Sequence, residues 1–262
     1  MIERVRPIQF DRQVSSGRTE PAFLTCERAN SNSVELVAKL SSACDLGTTS
    51  LAIELLAACL AGDLGLPVPE PLIVELDPAW IASIVDDKWR GRASISSAAA
   101  FGSCRAPNGF GQWIAGSTMT TSLIARAAAI LTFDCLIDNP DRRPSNPNCL
   151  QRGDELRVID HELCFPSLIL GWKPPWELGS LNHISVPDAH IFRNALQGKL
   201  VDWAPIAAVW KGLSDGQLDD YEAALPPEWI NALPTIRTGI TKIKNARDRI
   251  DDCVVEIQRV IT

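Results

Sequence analysis

The chain lacks any Cys-x-x-Cys pair, although it carries eight cysteines, at positions 26, 44, 59, 104, 135, 149, 164 and 253. Structural zinc sites draw their ligands from such close pairs, so this absence argues against a structural zinc site, and the scattered spacing gives no disulfide framework. Free cysteines of this kind behave as small buried hydrophobes. The start, MIERVRPIQF, has neither the apolar core nor the cleavage pattern of a signal peptide, which makes the reducing cytosol the expected compartment. No apolar run reaches membrane-spanning length. The longest, around Leu51 to Leu60 and Ala125 to Leu131, are short and interrupted by Glu54 or Arg126, so no membrane partner is expected. Positive charge is also wanting: 25 Lys and Arg against 32 Asp and Glu leave a net charge of -7. Nucleic-acid binders carry a basic stripe that replaces counterions on phosphate, so DNA and RNA are not expected as direct ligands.

What is present is the material of a globular protein, with 46% hydrophobic and 22% charged residues over 262 positions, compatible with one large domain or two small ones. FLTCERA and VELVAKL alternate apolar and polar positions around Asn30-Ser31-Asn32-Ser33, which predicts a β-hairpin. Thr48 to Ala61 has apolar residues at helical spacing and stops at Gly62, and LGLPVPEPLIVEL follows as a proline-bounded strand. A short helix is expected at Ala79 to Val85, and the glycine-rich FGSCRAPNGFGQW reads as a loop or hinge. From Thr121 a helix leads into DNPDRRPSNPN, a segment too rich in Asp, Asn and Pro to be anything but a loop. CLQ and LRVIDHELCF read as two short strands joined at Arg152-Gly153-Asp154. The final segment is helical, with Ile236, Ile240, Ile243, Ile250, Val254, Ile257 and Ile261 on one face.

The chemistry concentrates in Asp141-Arg142-Arg143-Pro144-Ser145-Asn146 and, one hairpin later, Val158-Ile159-Asp160-His161. Phosphoryl transfer needs a carboxylate to orient or deprotonate the attacking hydroxyl, and oxygen ligands to hold magnesium against nucleotide phosphates. An Asp with an Asn five residues on, followed by a second Asp at a strand end, supplies that set. A lone Asp-to-Asn spacing is usually only a turn. Here the downstream Ile-Asp-His favours the site over the turn.

These motifs resemble those of the HipA-like kinases and, more distantly, the phosphatidylinositol kinases, which share a D-R-x-x-x-N loop and an I-D-H or I-D-F metal strand. The resemblance covers most of the chain. It implies an α+β, bilobal, protein-kinase-like fold: a nucleotide-covering N-lobe over 1–92 and a mostly helical C-lobe over 93–262. It also implies ATP and Mg2+ as cofactors, Asp141 as the catalytic residue, and Asn146 and Asp160 as metal ligands. Lys39 would contact the α and β phosphates, held by Glu54, and a cation beside a metal site suits that purpose. Gly17 and Thr19 belong to the nucleotide-covering turn. This turn departs from the kinase G-x-G-x-x-G pattern, with one glycine and the hydroxyls of Ser15, Ser16, Thr19 and Thr25 nearby. The N-terminal subdomain of the larger toxin-type members is not expected here. The implied reaction is transfer to a Ser or Thr of a protein substrate, with an antitoxin or regulatory partner left open. A small-molecule or lipid kinase, or a catalytically silent nucleotide-binding module, stand as alternatives. His161 is read as a histidine packed under the metal strand, Trp172, Trp176, Trp203, Trp210 and Trp229 as core, and Cys135, Cys149 and Cys164 as structural.

Overall fold

The computed structural model describes residues 2–14, 17–166 and 173–262. Ser15, Ser16 and Trp172 lie outside the described residues. The chain is mixed α/β and divides into two compact units, the first made of Met1–Cys59, Pro69–Pro107 and Asp220–Arg237, the second of Leu60–Val68, Asn108–Asp219 and Thr238–Thr262.

The first unit is built on five strands, β1 (Arg4–Gln13), β2 (Ala22–Glu27), β3 (Ser33–Lys39), β4 (Pro71–Glu75) and β5 (Ala99–Cys104), with α1 (Thr48–Asp63) between β3 and β4. Two short helices, α2 (Pro78–Ser83) and α3 (Asp87–Ser94), lie between β4 and β5. The strands close into a barrel in the order β1-β2-β3-β5-β4. The neighbours are antiparallel except β1 and β4, which meet in parallel where Arg4 and Val5 face Ile73 and Val74. Alternation works as the sequence predicts: Ala22, Leu24 and Cys26 of β2 turn inward to meet Leu36 and Ala38 of β3, Leu72 and Val74 of β4, and Ala100 of β5. Beyond its closure with β4, β1 runs on with two register shifts against β2, between Pro7 and Gln9 and between Phe10 and Arg12. Trp229, fully buried, donates its indole N–H to the Ala99 carbonyl at 3.0 Å, which ties the 220–237 segment to β5.

Three readings of the sequence are corrected here. The hairpin predicted from the alternation is preceded by a further strand, the ten-residue β1, so three strands come before α1. The glycine-rich FGSC is not a hinge but the end of β5, so a boundary at residue 92 cuts a strand away from the barrel it completes. Its glycine has a packing cause: a Cβ on Gly102 would stand 2.9 Å from Val74 Cγ2 and 3.4 Å from Leu36 Cδ2, so the inward-facing position admits no side chain. Third, α3 was not expected, although Asp86 caps it by accepting from the Trp89 N–H at 2.8 Å.

The second unit contains a small sheet in the order β6 (Gly111–Gln112), β7 (Cys149–Arg152), β8 (Glu155–Val158) and the helices α4 (Thr121–Leu136), α5 (Arg193–Leu196) and α6 (Ala204–Lys211). Further along, α7 (Asp215–Ala223) and α8 (Leu233–Asp248) each run across a unit boundary, and α9 (Ile250–Ile261) closes the chain. Thr120 caps α4, its Oγ1 accepting from the Leu123 N–H at 3.2 Å. The core joins Leu123, Ala127 and Leu131 of α4 to Leu156 and Val158 of β8 and Ile257 and Ile261 of α9. The seven apolar residues expected on one helical face are all buried, but on two helices, because Arg249 leaves helical geometry between α8 and α9. Among the described residues no helix is long and apolar enough to cross a membrane, and all eight cysteines are free thiols.

Candidate active site

In the first unit, Lys39 ends β3 and Glu54 lies in the second turn of α1. Residues Ser50 to Ala58 of that helix are buried all round, so a carboxylate placed there has no solvated face and needs a cation. Lys39 provides one: its Nζ lies 2.8 Å from Glu54 Oε2, with the residues only 7% and 4% exposed. Gly17 and Thr19 share the turn between β1 and β2. Gly17 has φ +108°, its carbonyl accepts from the Glu20 N–H at 3.2 Å, and Val14 closes the turn on the Pro21 carbonyl at 2.7 Å. That φ favours glycine. Thr19 is buried, and Thr25 lies within β2 and gives its hydroxyl to Asp11 at 3.1 Å.

In the second unit, the Asp-Asn loop is internally braced. Asp141 receives the side-chain amide of Asn146 at 2.8 Å and that of Asn148 at 3.0 Å on one oxygen, Oδ2. Asn139 Oδ1 accepts from the Asp141 N–H at 3.1 Å, an Asx turn that sets the loop's entry. Arg143 and Asn146 exchange backbone hydrogen bonds at 3.1 and 2.9 Å. The loop is then fastened to the strand that leads to Asp160, since the Ile159 N–H donates to the Asn148 carbonyl at 3.0 Å.

Asp160 itself takes φ +64°, a left-handed backbone that is costly for most L residues and tends to persist where surrounding structure enforces it. Its carboxylate and that of buried Glu162 come within 4.8 Å of each other. The donor chemistry fits magnesium, because the candidate ligands are hard oxygens: the Asp160 carboxylate and the Asn146 amide oxygen. With the Asn146 nitrogen committed to Asp141, the amide presents oxygen from its other limb.

Beneath the loop lies a buried polar hub that the sequence reading did not anticipate. Arg142, 1% exposed, sends Nε to Asp134 Oδ2 at 2.6 Å and Nη2 to Asp134 Oδ1 at 3.3 Å and to His161 Nε2 at 2.9 Å. Its Nη1 reaches the carbonyl of Asn148 and, at 3.3 Å, that of Ile159. Asn139 Nδ2 donates to Asp134 Oδ1 at 2.6 Å, and His190 Nε2 stands 2.9 Å from Asp134 Oδ2. Burial disfavours ionisation of Asp134, but the Arg142 charge and the His190 hydrogen bond outweigh it and hold the carboxyl below its usual range. Burial also pushes the His190 imidazole down, against the pull of Asp134. The available signal was a lone charge within an apolar helix, Asp134 in LTFDCLI, which must find a partner.

His161 is buried, with its ring edge-on to Phe133 at 5.7 Å. Trp210 and Trp229 are buried, Trp203 packs against the second core, and Trp176 lies 5.9 Å from the Arg249 guanidinium. Cys135, Cys149 and Cys164 are buried, and burial raises the Cys149 thiol to about 11, away from reactive thiolate character.

The family model described as HipA-like kinase matches residues 8–255. Twelve solved chains also match. One is the crystal structure of a Helicobacter pylori proinflammatory kinase, CtkA, at 12% identity and a TM-score of 0.47, covering 94% of this chain and 95% of that one. No curated protein matches.

Proposed function

The chain belongs to the HipA-like kinases, and on that premise we propose that it transfers the γ-phosphoryl group of ATP, with magnesium, to a serine or threonine hydroxyl of a protein, within a bilobal kinase-like architecture. The observation that carries the reading is the fixed carboxylate of Asp141. It is oriented by Asn146 and Asn148 through one oxygen, which leaves the other oxygen, Oδ1, to accept the proton of an attacking hydroxyl. Asn146 and Asp160 would hold the cation, on a loop and a strand end joined by the Ile159–Asn148 hydrogen bond. When bound, magnesium supplies charge neutralisation at the nucleotide phosphates. Lys39, kept in place by Glu54, would meet the α and β phosphates, and the Gly17–Thr19 turn would cover them.

The test is incubation with labelled ATP and magnesium, with and without cell lysate, followed by phosphoamino-acid analysis. Label on serine or threonine of the protein or of a lysate band is expected. Label in the lipid or small-molecule extract would move the protein to another kinase class, and nucleotide binding without any transfer would make it a silent module. Asp141→Ala should lower transfer by about 10²–10⁴-fold and leave nucleotide binding near wild type. Asp160→Asn, which tolerates the left-handed backbone, should weaken magnesium-dependent ATP binding in calorimetry. An unchanged affinity would remove Asp160 from the metal site.

A further inference from the structure

His190 belongs to none of the motifs of phosphotransfer, yet its ring is buried against the carboxylate that anchors the catalytic loop. The Phe192 N–H donates to His190 Nδ1 at 3.1 Å. This fixes the neutral tautomer, with the proton on Nε2 and donated to Asp134 Oδ2 at 2.9 Å. With that bond the Asp134 carboxylate holds four side-chain donors, two on each oxygen: Asn139 and Arg142 Nη2 on Oδ1, Arg142 Nε and His190 on Oδ2. The same segment touches the loop a second time, since the Ile191 N–H donates to the Arg142 carbonyl at 3.1 Å. A side chain present only to fill space here would do better apolar, because burying an imidazole costs solvation that an isosteric hydrocarbon does not lose.

We propose that His190 is a positioning residue for phosphoryl transfer. It fixes the orientation of Asp134, which fixes the guanidinium of Arg142. Arg142 in turn fastens the carbonyls of Asn148 and Ile159, so that the loop bearing Asp141 and the strand end bearing Asp160 keep one mutual geometry. The inference rests on the phosphotransfer reading above. It adds to that reading a requirement for a donor at one atom, Nε2 of residue 190.

Two conservative variants separate this role from plain stability. In His190→Gln the side-chain amide nitrogen stands near the place of Nε2 and can still donate to Asp134. In His190→Asn the side-chain oxygen stands near Nδ1 and can accept from Phe192, but nothing donates to Asp134. Steady-state transfer to dephosphorylated casein is measured with magnesium and ATP well below the melting temperature of either variant. His190→Gln should keep kcat within about threefold of wild type. His190→Asn should lose about 10–10²-fold in kcat, the cost of a misplaced reacting group, with KM for ATP within about twofold. Equal losses in the two variants, or losses that follow their melting temperatures, would overturn the proposal. So would a ring-nitrogen NMR spectrum of the wild-type protein showing the proton on Nδ1. If wild type transfers nothing to casein or to any lysate protein, the phosphotransfer reading itself fails and the positioning role falls with it. Wild-type turnover with an unaffected His190→Asn variant sinks the positioning role alone.

Discussion

Each unit buries one prominent cation, and the two are held in different ways. Lys39 meets Glu54 end to end, ammonium to carboxylate, between the last residue of a strand and a helix. Arg142 sits in a fork: Nε on Asp134, Nη1 on two backbone carbonyls, and Nη2 on Asp134 and His161. Five guanidinium N–H groups thus face five acceptor contacts. An ammonium is a compact charge whose three donors rotate, whereas a planar guanidinium holds its donors in one fixed pattern. The contrast teaches that a lysine suits a single ion pair whose donors can turn, whereas a buried scaffold with many acceptors calls for the fixed fork of an arginine.

The comparison breaks most visibly at Arg142. Arg142→Lys keeps the charge but cannot reproduce the fork, and should cost about 3–5 kcal/mol in urea unfolding, as loss of buried ionic partners does. A cost under about 1 kcal/mol would mean that the hub rearranges freely and the contrast with Lys39 is empty. Next, Lys39→Ala should cost about 2–3 kcal/mol, because it removes the ammonium from a carboxylate buried in an apolar helix. Glu54→Ala should cost less, since the longer lysine can turn towards water. The double variant should show a coupling energy of about 1–3 kcal/mol, and strictly additive losses in melts and in activity would separate the two residues.

The smallest effect sharpens the comparison on the hub side. The His190 imidazole is depressed by burial, against the opposing pull of Asp134. Between its folded pKa and the ordinary value near 6.5, the unfolded chain takes up a proton that the folded chain does not. Stability is therefore complete above about pH 6.5 and declines as pH falls. Unfolding at pH 7.5 and 5.5 should show wild type losing up to about 1.4 kcal/mol more than His190→Gln across that range. An identical slope in the two proteins would assign the histidine no part in acid sensitivity.

Much of this was legible in the sequence because the signals were local. The alternation in FLTCERA and VELVAKL gave the β2–β3 hairpin, the helical spacing after Thr48 gave α1, and the short spacing of Asp141 and Asn146 put them in one loop, where they hydrogen-bond. The Lys39–Glu54 contact followed from the family resemblance and the strand-helix order, not from any local signal. What escaped is non-local or sterically determined. Gly102 reads as a loop glycine until Val74 and Leu36 are seen pressing on it. His190 carries no spacing that points 56 residues back to Asp134. Arg142 stands in the Asp141–Asn146 motif, but nothing in its neighbours tells that its side chain turns inward.

The way β1 leaves the barrel has a consequence for assembly. β4 pairs with β1 only at Arg4 and Val5, so beyond them β1 keeps β2 as its one ladder partner among the described strands, the kind of strand flank that invites backbone pairing. That flank carries its own deterrents. Pro7 has no N–H to offer, two register shifts break the regular ladder, and Asp11 and Arg12 place charge on exposed positions. These features would discourage a neighbouring copy from adding a strand along β1.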